Sequence, residues 1–334
     1  MKKVTIASVA KKVGVSIATV SYALSGKRKI SPEVANKIKE AINELGYKPS
    51  VIARNLASNK NWTVGFYTSS TKNIKGDFFF NSLLAGILDN LHEKKYQLHL
   101  YADYLNGSTN DHPDLSMTQP IDGALIMNPR LNDVYLDYLQ NQGIPFVVVG
   151  TPEEPENVFY VDVDLTAAAY MATQYLISKG HQKILFINGP DDYMQSFHHM
   201  RGSRMAFDEM GLEIKEEDVI NIALEENKAY SALESMGDDM GKYSAMLSFH
   251  DIFLYDVMSF FGEKGIIVPK DMAYVSLGNT QLSRLSSPTI TSIDLAPYDI
   301  GYQSANMLVE IIEKKRIQPS HTVIPVKLIE RNSV

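Results

Sequence analysis

From Trp62 onward, short apolar runs alternate with longer amphipathic stretches, and that alternation constrains the fold more than any other feature of the chain. Residues 63–67, 96–101, 123–127 and 145–149 read as strands. Helices are expected over 79–92, where Leu83, Leu84, Ile87, Leu88 and Leu91 recur at helical spacing, and over 134–142. The pattern then starts again, with helix 167–179, strand 184–187, helix 201–210, strand 245–249, helix 252–264 and strand 272–277. Strands alternating with helices build parallel sheets through right-handed crossovers, so two successive series predict two α/β subdomains. A ligand of such sheets lies beyond the carboxyl ends of the strands, which here means the cleft between the subdomains.

The first 60 residues have a different texture. Ile6, Val9, Ala10 and Val13 recur at helical spacing, and after Gly14 the residues Val15, Ala18, Val20 and Leu24 continue the pattern. A glycine takes the positive-φ corner of a tight helix-to-helix turn, and Ser16 is a good N-cap for the second helix, so this reads as helix-turn-helix. The second helix of that motif enters the DNA major groove N-terminus first, which turns Ser16, Ile17, Ala18, Thr19 and Tyr22 towards the duplex. Lys27, Arg28 and Lys29 come next, in a polar segment suited to phosphates. Ser31-Pro32-Glu33 starts a third helix with Val34, Ile38, Ala41, Ile42 and Leu45 as its buried stripe, and Gly46 ends it. An extended linker, residues 47–50, leads to VIARNLAS (51–58), a segment too short to hold a helix without DNA or a partner.

Charge separates the two parts. The chain carries -7 overall, yet residues 1–60 hold 12 Lys and Arg against 3 Asp and Glu, leaving -16 on the rest. A small basic module on an acidic body fits a nucleic-acid reader. There is no cysteine, so disulfides, thiol catalysis and Cys-based zinc sites are excluded. No apolar run reaches the ~18 residues of a membrane span, and Lys2-Lys3 precedes no signal-type apolar core, so a cytoplasmic protein with no membrane partner is expected. The sequon Asn106-Gly107-Ser108 is then a turn.

Enzymatic signatures are missing from the sequence. No dinucleotide fingerprint follows a strand, residues 237–243 fall one residue short of a phosphate loop and end on Tyr243, and His198-His199 lacks partners at metal-ligand spacing. No cofactor, no metal and no catalytic residue is expected.

This order of parts resembles the lactose/galactose repressor (LacI/GalR) family along nearly the whole chain. The match rests on Thr5-Ile6, Val9-Ala10, Gly14-Val15-Ser16, Ala18-Thr19-Val20-Ser21, Leu24, Gly26, Ser31-Pro32, Gly46-Tyr47-Lys48-Pro49, Ala53-Arg54 and Leu56. In the body it continues through Asp122-Gly123, Asp164, Leu176-Ile177, Gly180-His181, Gly202, Gly211-Leu212, Asp251, Val268-Pro269 and Pro288. The resemblance implies an α/β protein with a small all-α helix-turn-helix DNA-binding domain and a two-lobed, periplasmic-binding-protein-like body with parallel sheets. The expected division is a headpiece at 1–46, a linker and hinge helix at 47–61, and an effector-binding and dimerisation domain at 62–334. Its N-lobe would span about 62–160 and 292–320, its C-lobe about 161–291 and 321–334, with crossings near Tyr160, Thr291 and His321.

On matching positions the family implies that Ser16, Thr19 and Ser21 hold phosphates while Ile17, Ala18 and Tyr22 face base edges. Thr5, Lys27, Arg28, Lys29, Arg54 and Asn55 complete the candidate DNA contacts. Tyr22 stands where many members have arginine, which removes a bidentate contact to guanine. Leu56 matches the residue that the family wedges into the minor groove, although a buried helix residue is the alternative.

The implied effector set is Phe78, Phe79, Asn128, Asp164, His199, His250, Asp251 and Asn279. It departs from the family, with His199 in place of an arginine, His250-Asp251 in place of Asn-Asp, and Gly278-Asn279 in place of an Asp pair. Phe78 and Phe79 suit stacking on a sugar ring or plain helix-start core, and His199 and His250 suit a ligand or a structural role equally. The expectation is a homodimeric repressor of a carbohydrate-use operon, bound to a near-palindromic double-stranded operator and switched by a sugar-like small molecule. The chain shows no heptads for a tetramer-forming coil. A solute-binding protein without a DNA role is the alternative.

Overall fold

The computed structural model describes residues 4–25, 28–47, 60–68, 77–102, 120–128, 134–225, 227–315, 318 and 320–334. The chain divides into two compact units, Met1–Trp62 and Thr63–Val334.

The first unit holds α1 (Ile6–Val13), α2 (Ile17–Ser25) and α3 (Pro32–Leu45). Gly14 ends α1 with φ +75 and its N–H bonded to the Ala10 carbonyl, the left-handed turn that the sequence requires there. Ser16 starts α2 by accepting the Thr19 N–H at 3.0 Å, and Ser31 starts α3 by accepting the Val34 N–H at 3.4 Å. Val9, Ala10, Val20, Ile38, Ala41 and Tyr47 form the core, flanked by Ile6, Val13, Val15, Ala23, Val34, Ile42 and Leu45. An ion pair from Lys12 to Glu44 joins α1 to α3 across the surface. The segment 48–59, which includes the expected hinge helix, lies outside the described residues.

The second unit contains two six-stranded sheets. Strands β1 (Thr63–Thr68), β2 (Gln97–Ala102), β3 (Gly123–Met127), β4 (Phe146–Val149), β5 (Tyr160–Val163) and β11 (His321–Ile324) form the first, in the order β11-β5-β4-β3-β1-β2, and every pair is parallel. Helices α4 (Phe78–Glu93), α5 (Val134–Asn141) and α11 (Pro297–Ile312) belong to this lobe. The second sheet has the order β12-β10-β9-β8-β6-β7, from β6 (Ile184–Asn188), β7 (Val219–Asn221), β8 (Ala245–Ser248), β9 (Ala273–Gly278), β10 (Thr291–Asp294) and β12 (Lys327–Ile329). It is parallel except for the antiparallel pair of β10 and β12. Its helices are α6 (Leu165–Ser178), α7 (Met194–Asp208), α8 (Lys228–Met236), α9 (Leu254–Lys264) and α10 (Gln281–Leu285).

The chain crosses between lobes at 164, at 295–296 and at 325–326, each a few residues later than the sequence suggested. The reason is common to all three: β5, β10 and β11 finish in the sheet they pair with before the chain leaves it. These strands are only four residues long each, too short to show alternation. Helix α7 also begins at Met194, well before the expected 201. Its buried face is Met194, Ser196, His199, Gly202, Ser203, Ala206 and Phe207, and the polar or small side chains between Met194 and Ala206 interrupt the apolar stripe over the first turns.

One packing contact fixes the first lobe. A Cβ on Gly86 of α4 would stand 2.1 Å from the Tyr298 carbonyl oxygen of α11, and one on Gly301 of α11 would stand 2.0 Å from that of Leu83. The two helices therefore cross backbone to backbone, through reciprocal glycines. Replacing either glycine has to push rigid backbone apart, which costs more than ordinary overpacking of a core. Gly86→Ala should lower stability by about 2 kcal/mol or more, read as a drop in the thermal midpoint of the body, whereas Gly143→Ala, with nothing within 4 Å of its Cβ, is the control for a glycine with room but positive φ.

Candidate functional site

Two regions gather the candidate residues, one in each unit. In the first unit, α2 buries Val20 and turns its opposite face outward. Ile17 is 52% exposed and Tyr22 37%, values that set them apart from the core residues of the same helix. Thr5, Ser16, Ala18, Arg28 and Lys29 are exposed as well, while Thr19 and Ser21 are half-buried. The Ser16 and Thr19 hydroxyls lie 2.8 Å apart, so the cap that starts the helix also fixes two of the expected phosphate contacts at its N-terminus. Thr5 sits at the start of α1, its N–H donating to the Ser8 hydroxyl at 3.2 Å. Lys27, Arg54, Asn55 and Leu56 lie outside the described residues.

In the second unit, a cavity opens between the lobes at the carboxyl ends of both sheets. Thr68, Met127, Val149, Asp162 and Val163 line it from the strands of the first lobe, with Gly150 just after β4, and with Phe79, Phe80 and Leu83 of α4 and its N-cap Asp77. Tyr193 and Gln195 at the start of α7, Leu224, Phe249 and His250 line it from the second lobe. Of the eight residues expected from the resemblance, the structure brings three to this wall: Phe79, Asn128 and His250.

The other five are placed elsewhere. Phe78 and Asn279 line a separate depression with Arg284 and Tyr298. Asp164 caps α6, accepting the Ala167 N–H at 2.8 Å. Asp251 is 1% exposed and its carboxylate is fully engaged: it accepts the Ser276 hydroxyl on one oxygen, and on the other the Thr280 N–H and the Ser283 hydroxyl, both at 2.7 Å. His199 is fully buried behind Phe249, whose ring centroid is 5.7 Å away. Its Nδ1–H faces the Asn188 Oδ1 at 3.0 Å, and Asn188 in turn donates to Asn221 at 2.9 Å. Burial pushes the His199 pKa down to about 3, so the ring is uncharged where many relatives of the family place an arginine.

Several wall residues were not singled out from the sequence. Asp162, two positions before the expected Asp164, is a lone carboxylate inside an apolar strand, and that was the available signal. It accepts the Thr151 hydroxyl and the Val163 N–H, each at 2.8 Å, yet burial still pushes its pKa up to about 6. Asp77 is buried as the N-cap of α4, accepting the Phe79 and Phe80 N–H groups at 2.9 and 3.2 Å on a single oxygen. The His250 Nδ1 accepts the Ile252 N–H at 3.0 Å, which leaves the ring hydrogen on Nε2 as a donor. Mostly apolar walls with a few convergent polar groups are the make-up of a small-molecule site. Among the described residues no group of three or more His, Asp or Glu could hold a metal ion, and no helix is long and apolar enough to cross a membrane.

Comparison with known proteins finds matches in both units. Residues 5–50 match the family described as bacterial regulatory proteins, lacI family, and residues 173–334 match a periplasmic binding protein-like domain. Catabolite control protein A of Priestia megaterium is 28% identical over 336 residues, covering 99% of each chain. The HTH-type transcriptional repressor PurR of Escherichia coli O139:H28 is 28% identical over 334 residues, covering 99% of this chain and 96% of that one. Among solved structures, the transcriptional regulator CelR–cellobiose complex superposes with a TM-score of 0.76 at 27% identity, covering 99% of this chain and 100% of that one. The Lac repressor dimer bound to operator and the anti-inducer ONPF shares the fold, with a TM-score of 0.83 at 19% identity over 99% of each chain.

The Asp162 shift sets a pH dependence. Because the folded pKa lies above that of an exposed aspartate, the buried carboxyl is tolerated fully below pH ~4 and costs stability as pH rises to about 6. A shift of this size corresponds to about 3 kcal/mol. Asp162→Asn should therefore gain stability relative to the parent between pH 4 and pH 7, measured as the difference in thermal midpoint, and a difference independent of pH would contradict the assignment.

Proposed function

We propose that this chain, with a lacI-family helix-turn-helix domain and a periplasmic binding protein-like domain, is a LacI-family regulator, a cytoplasmic, homodimeric repressor of a carbohydrate-use operon. It binds DNA, as its helix-turn-helix domain and its repressor relatives require. The finer reading is a near-palindromic operator, read by two copies of α2. The observation that carries it is the division of α2 into a packed side around Val20 and an exposed side bearing Ser16, Ile17, Ala18 and Tyr22.

Ser16, Thr19, Ser21, Arg28 and Lys29 supply phosphate contacts, and Ile17, Ala18 and Tyr22 supply base contacts. No arginine or lysine is among these three, so direct readout is apolar and phenolic, and DNA shape carries part of the specificity. Lys27, Arg54, Asn55 and Leu56 complete the proposed interface. A solute-binding protein without a DNA role leaves the basic first 60 residues and the match over 5–50 without a purpose.

For the effector we propose a small sugar in the interlobe cavity, held by Asn128, His250 and Asp162 with Phe79 against its ring. The complex of the similar CelR with cellobiose supports this class. The ligand acts by its differential affinity for two arrangements of the lobes, which shifts the population able to hold DNA. Neither the cavity nor the sequence motifs assemble an acid, a base and a nucleophile, and the reading is of a regulator without catalytic activity.

Selection of DNA from a random pool by the full chain should recover an inverted repeat. Tyr22→Ala should change the preferred base at one position of each half-site while leaving the salt dependence of binding intact, since Tyr22 is assigned to base edges and not to phosphates. Purely salt-governed binding without any repeat would sink the operator reading. A thermal-shift screen with cellobiose, glucose, glucose 6-phosphate and hypoxanthine tests the cavity, because a ligand bound only by the folded state raises its midpoint.

A further inference from the structure

Two contacts already span the cavity without a ligand. Gln195 of α7, in the second lobe, donates through Nε2 to the Asn128 Oδ1, in the first, at 3.2 Å. The Phe79 ring of the first lobe meets the His250 ring of the second edge-on, with centroids 5.4 Å apart. The two contacts differ in what they leave unsatisfied. The edge-on ring pair is complete, whereas the Gln195 Oε1 is buried and has no hydrogen-bond partner among the described residues. A carbonyl oxygen taken out of water without a donor is unfavourable, and a fold retains one only where something else offsets it.

Asn128 sits at a special backbone position. It follows β3 directly and has φ +58, a left-handed conformation in which asparagine is tolerated better than most side chains. Both partners line the cavity.

We propose that Gln195 is the effector-sensing residue of the cleft: its carboxamide N–H latches the lobes through Asn128, and its free Oε1 selects ligands that present a hydroxyl or amine hydrogen. Gln195 lay outside the candidate set because nothing in the local sequence marks it. A donor-bearing ligand completes the hydrogen bonding of the amide and tightens a closure that already exists. A ligand of similar shape without donors leaves Oε1 buried and unpaired, and the cleft rejects it for that reason. The ligand half of this proposal rests on the cavity being the effector site; the latch half does not.

The chain has no cysteine, so spin labels can be placed at Lys94→Cys and Lys270→Cys, one exposed position in each lobe, and the interlobe distance distribution measured by pulsed electron spin resonance on the full, ligand-free chain. Gln195→Met keeps the size of the side chain and removes its hydrogen bonds. It should raise the ratio of open to closed molecules by about three- to tenfold, the worth of one such bond. Asn128→Gly, which accepts the positive φ, should do the same, and the double variant should add little to either.

Gln195→Leu, apolar like methionine but branched, should open the cleft as Gln195→Met does, which separates the loss of the hydrogen bond from the packing of one particular side chain. A distribution unchanged in Gln195→Met, or shifts that add in the double variant, overturns the latch. Titration calorimetry with cellobiose then tests the sensor. Binding weakened about tenfold in Gln195→Met supports it, and equal binding to both proteins overturns it while leaving the cavity as effector site. Absence of cellobiose binding to the parent protein, and to its Gln195→Met variant, removes cellobiose as effector and with it the sensor half, while the distance measurements still decide the latch.

Discussion

The body depends on one constraint: parallel strands finish at the same end of a sheet, and the chain passes between two such sheets three times at those ends. Crossings at 164, 295–296 and 325–326 place the carboxyl edges of both sheets around one cavity. Two of the three strands that precede a crossing deliver residues beside it, and two further strands end at the same wall. Val163 and Asp162 come from β5, Leu295 follows β10, and Asn128 and His250 follow β3 and β8. The site is thus a consequence of topology before it is a consequence of any particular side chain.

Packing then decides which polar groups remain available there. Asp251 and His199 are polar, central and close to the site in sequence terms, yet both are taken up by the second lobe. Asp251 ties β9, the β9–α10 turn and α10 together through three hydrogen bonds, and His199 joins the Asn188–Asn221 pair beneath Phe249. The polar groups that reach the cavity wall are a sparse set, Thr68, Asp77, Asn128, Asp162, Tyr193, Gln195 and His250, among apolar neighbours. In so dry a setting each polar group is worth more than it would be in water, and each unpaired one costs more.

The DNA-reading unit obeys a different logic. Its fold is almost entirely local: a left-handed Gly14, serine caps at Ser16 and Ser31, a proline in the first turn of α3, and an apolar stripe on each helix. A core of six buried residues suffices to orient α2, and the same serine that starts the helix helps to present its exposed end. The residues that fold this unit include those proposed to meet DNA, whereas in the body packing takes up polar groups that the sequence offered for a site.

Helical periodicity, glycine and serine punctuation and strand–helix alternation are local properties, and the sequence alone determined from them the helix-turn-helix, the two parallel sheets and the cleft. Phe79, Asn128 and His250 were named through the resemblance to the LacI/GalR family, not through periodicity. Asp162, Asp77 and Gln195 were missed: the lone carboxylate of an apolar strand was the one available signal, while a helix cap and a glutamine in a stretch without apolar period look like ordinary surface. The same holds for the early start of α7 and for the late crossings, where short strands take their identity from their neighbours in the sheet. Only the tertiary structure decided which polar side chains are absorbed by the core and which face the cavity, because that depends on partners as far apart in sequence as Asn128 and Gln195, and a hydrogen bond between lobes leaves no periodicity to read.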